Sequence, residues 1–157
     1  MWQKIKPYII SVLIALAVGG LSAFLTRGDM DLYENIVTPP LAPPGILFPI
    51  VWSLLYILMG ISAAMIWKER GSSPLSVQNA LYTYATSLVL NFAWSIIFFK
   101  FGAFLLAFIW LILLFISIIA TILKYRKIKP LAAYLQIPYA VWVAFAGYLN
   151  LAIYILN

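Results

Sequence analysis

Five long apolar stretches, separated by short polar breaks, constrain the fold of this chain more than any other feature. They run over residues 8–26, 46–67, 77–99, 103–123 and 131–155. A helix needs about 20 consecutive apolar residues to cross a bilayer, so five spans leave room only for connections in a chain of 157 residues. Only 9% of the residues are charged, whereas a soluble domain has about 25%. The sequence therefore predicts an all-α integral membrane protein, a five-transmembrane-helix bundle forming one domain over 1–157.

The first stretch has an alternative interpretation as a signal peptide. Lys4 and Lys6 precede it, and Leu21-Ser22-Ala23 weakly resembles a cleavage site. We expect the stretch to be retained as the first transmembrane helix, because it continues directly into the pattern of four further spans.

Basic residues are distributed unequally between the two sides of the predicted bundle. Eight of the ten precede the first span or follow the second and fourth spans: Lys4, Lys6, Lys68, Arg70, Lys124, Arg126, Lys127 and Lys129. Connections rich in Lys and Arg remain in the cytoplasm, so we predict a cytoplasmic N-terminus and a C-terminus outside. This distribution accounts for most of the net charge of +6 without a nucleic-acid partner.

The connection over residues 27–45 is the only long one. It contains three acidic residues and the prolines Pro39, Pro40, Pro43 and Pro44. Proline fixes φ and cannot continue a helix, so we expect a stiff, extended segment. A loop of this length within a compact domain is usually a lid or a binding loop, and the predicted orientation places it on the outer side.

Residue types that are missing narrow the possible chemistry. The chain has no Cys and no His, which excludes thiolate and imidazole metal ligands, so we expect no metal site and no required cofactor. All charged residues can be placed in loops, termini or helix ends. Proton relays and ion pumps need ionisable groups inside the membrane, so the sequence argues against an ion-coupled transporter.

Aromatic and weakly polar residues recur at spacings of three and four on three of the spans. They are Trp52 and Tyr56 on the second, Tyr84, Ser87, Asn91, Trp94 and Phe98 on the third, and Tyr139, Trp142, Ala146 and Asn150 on the fifth. Such stripes are typical of helix packing, in which polar side chains join neighbouring helices. They are equally typical of an aromatic pocket for a large planar ligand, oriented by a few polar groups.

Short motifs follow one another in a fixed order through residues 32–150. They are Pro43-Pro44-Gly45, Phe48-Pro49-Ile50-Val51-Trp52 with Tyr56, Leu90-Asn91-Phe92-Ala93-Trp94, Pro130-Leu131-Ala132-Ala133, and Pro138-Tyr139 with Trp142, Ala146 and Asn150. The ordered set resembles the translocator protein family, also called the tryptophan-rich sensory protein (TspO/MBR) family, and its bacterial members in particular.

The resemblance implies a membrane receptor or sensor with a ligand pocket closed by the first loop. Family members bind porphyrins such as protoporphyrin IX and synthetic isoquinoline or benzodiazepine-type ligands, and bacterial members are often homodimers in the cell (inner) membrane. Some relatives degrade protoporphyrin in light with two pocket tryptophans, which match Trp52 and Trp142 here. Carried over by position, the ligand-binding residues are Trp52, Tyr56, Asn91, Trp94, Phe98, Tyr139, Trp142 and Ala146.

The sequence departs from the family pattern mainly in the loop. Leu32 and Leu41 stand where the family has tryptophans, and Trp110 stands where an acid is common. No basic residue follows Tyr154, so we predict no dedicated sterol motif. Three functions remain open at this point: a porphyrin-binding sensor, a light- and oxygen-dependent porphyrin-degrading enzyme, and a transporter of tetrapyrroles or lipids.

Overall fold

A computed structural model describes residues 1–29 and 31–157, and within them the chain is helical, without strands. The α-helices are α1 (Trp2–Thr26), α2 (Asp31–Asn35), α3 (Leu47–Trp67), α4 (Pro74–Ser95), α5 (Phe104–Ile128) and α6 (Pro130–Leu156). All but α2 are long and apolar enough to cross a membrane. The structure therefore confirms the predicted all-α bundle of five membrane helices.

Several boundaries differ from those expected. The first helix begins at Trp2 and continues through Pro7, and α5 extends to Ile128, so the basic break expected over 124–130 is reduced to Lys129. Lysine and arginine are good helix formers, and charge alone does not end a helix. Lys129 is extended, with φ −150° and ψ 104°, as is typical before a proline.

The long connection is also more structured than the proline content suggested. A 3₁₀ turn over Arg27–Asp29 and the short helix α2 occupy its first part, and only the proline-rich second part lacks helix. The expectation of an extended segment throughout 27–45 is therefore wrong for its first half. Met30, which falls in this connection, lies outside the described residues.

The five long helices form a closed ring in the order α1, α3, α6, α5, α4, and α4 returns to α1. Because consecutive helices run antiparallel, the basic connections gather at one end of the bundle. There, Lys129 Nζ lies 3.4 Å from Glu69 Oε1, and Lys124 Nζ donates a hydrogen bond to Thr83 Oγ1 at 2.7 Å. We call this the basic end, and the opposite end, which carries the long connection, the loop end.

Close approach and polar contacts join the helices, since apolar burial does not drive association inside a bilayer. A Cβ atom at Gly60 would lie 2.5 Å from the Cα of Val12, and one at Gly19 would overlap the Tyr56 ring. Between α3 and α6, Ser62 Oγ donates to the carbonyl of Ala132 at 2.7 Å. Glycine thus allows α1 and α3 to meet backbone to backbone.

The loop end of α4 departs from regular α geometry. Residues Ile96–Lys100 form a π-helical segment, and Gly102 with φ +59° completes the turn into α5. The sequence pattern predicted a regular helix to Phe99. Isolated π segments are frequent at functional sites, and this one carries Phe98 and Phe99, which face the loop end of the bundle.

Candidate ligand-binding site

Four of the sequence-predicted residues form one cluster between α3, α4 and α6. The Trp52 ring stacks on Tyr56, with centroids 5.7 Å apart, and meets Tyr139 edge-on at 6.2 Å. Asn91 Nδ2 donates a hydrogen bond to the Tyr56 hydroxyl at 3.1 Å. The side chains of Tyr56, Asn91 and Tyr139 are buried, whereas Trp52 is half-buried. Asn91 therefore joins α4 to α3 in this structure.

A second cluster contains Trp94, Phe98 and Ala146. The Trp94 and Phe98 rings lie 5.4 Å apart, and Trp94 Nε1 donates to Asn150 Oδ1 at 3.0 Å. Asn150 Nδ2 in turn donates to the carbonyl of Phe104 at 2.8 Å, so one amide joins α4, α5 and α6. The space that these residues border is only about 20 Å³, roughly the room of one water molecule. We call it the filled space.

Trp142 lies one turn nearer the loop than the first cluster. Its ring meets Phe48 at 6.0 Å and Phe145 at 5.6 Å. The indole Nε1 of Trp142 is buried and has no hydrogen-bond partner among residues 1–29 and 31–157. Buried donors nearly always have a partner. This N–H is an exception and could donate a hydrogen bond to a ligand.

A cavity of about 440 Å³ opens on the other side of the same aromatic residues, towards α1. We call it the loop-end cavity. Trp52, Tyr56 and Trp94 form part of its wall, and Gly19 and Gly20 line it from α1. Its volume lies within the 300–1,000 Å³ typical of small-molecule sites.

The position of this cavity differs from the one expected between the second, third and fifth spans. On the α6 side, Phe98 and Trp94 fill the available volume. On the α1 side, the wall consists mostly of small residues: Gly19, Gly20, Ser22, Ala23 and Thr26, with Leu16. Phe48, Trp94 and Phe99 border both the loop-end cavity and the filled space. These three side chains therefore separate the two volumes.

Arg27, which sequence reasoning did not single out, lies at the mouth of the loop-end cavity. Its guanidinium carbon is 4.1 Å from the centroid of the Phe24 ring, a cation–π contact that positions the charge. The available signal was its place as one of two basic residues on the loop side of the chain. The described residues contain no cluster of metal-ligating side chains, so aromatic faces and this cation are the groups that could hold a ligand.

The connection over 27–45 is fastened over this end of the bundle. The Tyr33 hydroxyl donates to the carbonyl of Pro43 at 2.8 Å, and the Tyr33 ring meets Phe48 edge-on at 5.0 Å. Burial raises the pKa of the Tyr33 phenol, so the donor keeps its proton at neutral pH. Through Phe48, the connection is in contact with the wall of the loop-end cavity.

Tyr148 of α6 and Asn157, which directly follows this helix, hold the connection on the α6 side of the bundle. The Tyr148 hydroxyl donates to the carbonyl of Pro40 at 2.7 Å. The Asn157 amide accepts from the Val37 N–H at 3.0 Å and donates to the Val37 carbonyl at 2.9 Å. The connection therefore bridges α3 and α6 and closes the loop end.

The two leucines that replace family tryptophans occupy different environments. Leu32 is half-buried in α2, whereas Leu41 is 82% exposed and has a φ of +71°. A left-handed conformation is unfavourable for a leucine. The Leu41 side chain lies away from the loop-end cavity, so it supplies none of the cavity wall.

Comparisons with known proteins agree with the motifs. The profile of the TspO/MBR family matches residues 11–156. The chain is 34% identical to the tryptophan-rich protein TspO of Chlorobaculum tepidum, over 100% of this chain and 99% of that protein. It is 37% identical to the protein of the same name from Archaeoglobus fulgidus, over 99% of each.

A mammalian relative is similar over a shorter part. The translocator protein of Bos taurus is 38% identical over 84% of this chain and 79% of that protein. Membership of this family supports a membrane sensor or transporter-type role. The family profile, the full-length relatives and the five membrane helices together identify the chain as an integral membrane protein that belongs to the TspO/MBR family.

Proposed function

We propose that the protein is a membrane receptor that binds a porphyrin or a similar flat hydrophobic ligand in the loop-end cavity. The observation that carries this proposal is the 440 Å³ volume walled by Trp52, Tyr56 and Trp94 and flanked by Arg27. Each offset or edge-on aromatic contact contributes about 0.5–1.5 kcal/mol beyond area burial. A planar macrocycle can make several such contacts at once, whereas a flexible aliphatic ligand cannot.

Arg27 favours a ligand with an acidic edge. A porphyrin such as protoporphyrin IX has an apolar ring and two carboxylates, which matches aromatic walls with a cation at the mouth. The Trp142 N–H is a further free donor near Phe48. A ligand that turned Phe48 aside and accepted this hydrogen bond would remove the cost of about 1–3 kcal/mol of an unpaired buried donor.

We further propose a location in a bacterial inner membrane, with the basic end in the cytoplasm and the connection over 27–45 outside. The positive-inside rule supports this orientation, because eight of the ten basic residues lie before α1 or near the basic ends of the other helices. A homodimer is proposed from the family resemblance alone. With the proposed orientation, a ligand would enter the loop-end cavity from the outer leaflet or from the outer aqueous side.

Quenching of tryptophan fluorescence by protoporphyrin IX tests the binding site directly. A Cβ at Gly20 meets nothing within 4 Å, so Gly20→Phe fills the cavity without a backbone clash. We expect binding about tenfold weaker or more, which corresponds to about 1.4 kcal/mol. Gly71→Phe, also in open space but at the basic end, is the matched control. Equal affinity of both variants and the unchanged protein would overturn the proposed site.

The variant Arg27→Gln tests the contribution of the cation separately from that of the contacts with the porphyrin ring. Binding of protoporphyrin IX should weaken about two- to fivefold, since an exposed ion pair contributes about 0.2–1 kcal/mol. Binding of its dimethyl ester, which lacks the carboxylates, should not change. An equal loss for acid and ester would mean that Arg27 acts only through packing on Phe24.

A second candidate function is light-dependent porphyrin degradation. The specific observation in its favour is that Trp52, one of the two tryptophans matched to this activity by resemblance, lines the loop-end cavity. An indole in contact with a photoexcited porphyrin is a suitable electron donor. Bleaching under light and oxygen no faster than in empty detergent micelles would exclude this function while leaving the receptor proposal intact.

A further inference from the structure

A separate cavity of about 730 Å³ lies at the basic end, between α1, α3 and α4. It shares no residue with the walls of the loop-end cavity, and Tyr84 is the one member of the aromatic stripes that lines it. Lys6 and Arg70 border it at the end of the bundle, while Ile10, Ile14 and Leu81 border it further inside. We call it the basic-end cavity.

The mouth of the basic-end cavity is positively charged. Its only ionised lining residues are Lys6 and Arg70. Arg70 is held in place, because its guanidinium carbon lies 3.3 Å from the Trp67 ring centroid and Nη1 donates to the Trp67 carbonyl at 3.1 Å. The neighbouring Glu69 is paired with Lys129 at 3.4 Å. The positive charge at the mouth therefore remains available to an anion.

The lining of the cavity is mostly apolar, and part of it runs along α1. Lys6, Ile10 and Ile14 are spaced four residues apart and so form one stripe on α1, and all three line the cavity. At 1.5 Å per residue the stripe is about 12 Å long, comparable to the first half of an acyl chain. Ile10 and Ile14 remain exposed on the helix surface, so the cavity is open sideways to the bilayer.

We propose that the basic-end cavity binds one anionic phospholipid of the surrounding bilayer. The phosphate lies between Lys6 and Arg70, and an acyl chain follows Ile10, Ile14 and Leu81. Basic pockets between membrane helices on the cytoplasmic side are suited to anionic headgroups. Free inorganic phosphate offers the same charge but leaves the apolar interior unfilled, and a zwitterionic lipid fills the interior but gains little from the two cations.

Lipid retention measured by native mass spectrometry tests the proposal. The full chain is extracted from vesicles of phosphatidylcholine and phosphatidylglycerol in a 3:1 ratio, and retained lipids are counted. We expect one phosphatidylglycerol per chain, in preference to phosphatidylcholine, and no displacement by 10 mM phosphate. The double variant Lys6→Gln with Arg70→Gln should reduce retention about fivefold per basic residue, as expected for about 1 kcal/mol each.

The matched control is Arg126→Gln with Lys127→Gln, which removes the same two residue types from the same end but outside the cavity. It should retain the lipid. Ile14→Trp, which fills the interior without changing charge, should reduce retention as well. Equal retention of both lipids, equal loss in the control, or displacement by phosphate alone would overturn the proposal. Size-exclusion elution and helical circular dichroism verify that each variant is folded.

Discussion

The two sides of this bundle are built differently. Where α4, α5 and α6 meet at the loop end, aromatic side chains leave a space of only about 20 Å³, and Asn150 joins Trp94 to Phe104 by hydrogen bonds. We call this region the filled side. Around α1, by contrast, cavities of about 730 and 440 Å³ lie at the two ends. In the most apolar part of α1 only 17% of the residues are buried, against 50% in α3.

Glycine positions explain the difference. Gly60 brings the backbone of α1 close to α3 near Val12, whereas the contact of α1 with α4 is less extensive. Gly19 accommodates the Tyr56 ring, while Gly20 presents no side chain to the loop-end cavity. A helix held against one neighbour by backbone contact leaves space towards the next neighbour. Two ligand-sized cavities lie along α1, which we call the open side, and a further groove of about 340 Å³ lies between α5 and α6.

Breaking the contact between α1 and α3 should have the largest effect. In Gly60→Leu the new Cβ would lie 2.5 Å from the Val12 backbone, which cannot yield locally, so α1 must shift. We expect destabilisation of about 3 kcal/mol and a clear fall in the thermal midpoint followed by tryptophan fluorescence. Gly20→Ala, where a Cβ meets nothing within 4 Å, should leave the midpoint unchanged. Equal midpoints for both variants would show that α1 is not held at Gly60.

Removing the amide that joins the filled side should have the next largest effect. Asn150→Leu leaves the Trp94 N–H and the Phe104 carbonyl without their partner. An unsatisfied buried group costs about 1–3 kcal/mol, so the thermal midpoint should fall by several degrees. The control is Asn79→Leu on the exposed face of α4. If both substitutions lowered the thermal midpoint by the same small amount, the hydrogen bonds of Asn150 would not contribute to the stability of the filled side.

The two tryptophans matched to porphyrin chemistry should differ, because only one of them borders the open side. Trp52 lines the loop-end cavity and Trp142 does not. Loss of one aromatic contact in Trp52→Phe should weaken protoporphyrin IX binding about two- to tenfold, measured by absorbance titration. Trp142→Phe should change it less. A larger loss for Trp142 would show that the ligand occupies the α6 side, after rotation of Phe48.

The smallest effect is expected where the connection is tied to the filled side. Asn157→Ala removes two hydrogen bonds to Val37, each worth about 0.5–1.5 kcal/mol in a net balance. Dissociation of bound protoporphyrin, followed by stopped-flow fluorescence, should become a few times faster, with little change in the thermal midpoint. Asn35→Ala, whose amide bonds only within α2, serves as control. Unchanged dissociation in Asn157→Ala would mean that ligand exchange does not pass the connection.

Much of the fold could be predicted because hydropathy in a bilayer is a local property. The spans and the end at which Lys124 and Lys129 lie follow from composition along the chain. The helix limits were less predictable, since Lys124 and Arg126 continue α5 rather than ending it. The π segment over Ile96–Lys100 has no distinctive residue pattern and was not predicted.

The candidate site was predictable in its residues but not in its shape. The spacing of Trp52, Tyr56 and Trp94 put them on helix faces, and the structure brings these residues to one cavity wall. Their spacing does not predict whether the cavity lies between these residues and α1 or between them and α6. Gly20 of α1 and Arg27 of the following 3₁₀ turn complete the cavity, and neither belongs to an aromatic stripe that would mark it in the sequence.

The sequence by itself determined that the chain folds in a lipid bilayer, how many spans it has, on which side its basic residues lie and to which family it belongs. These depend on transfer free energies and motifs that each segment carries independently of the others. Only the tertiary structure decided that Asn91 and Asn150 join helices, and that cavities of about 730 and 440 Å³ lie along α1. Hydrogen-bond partners and cavities depend on how the helices pack against one another, and glycine decides where two helix backbones can come close.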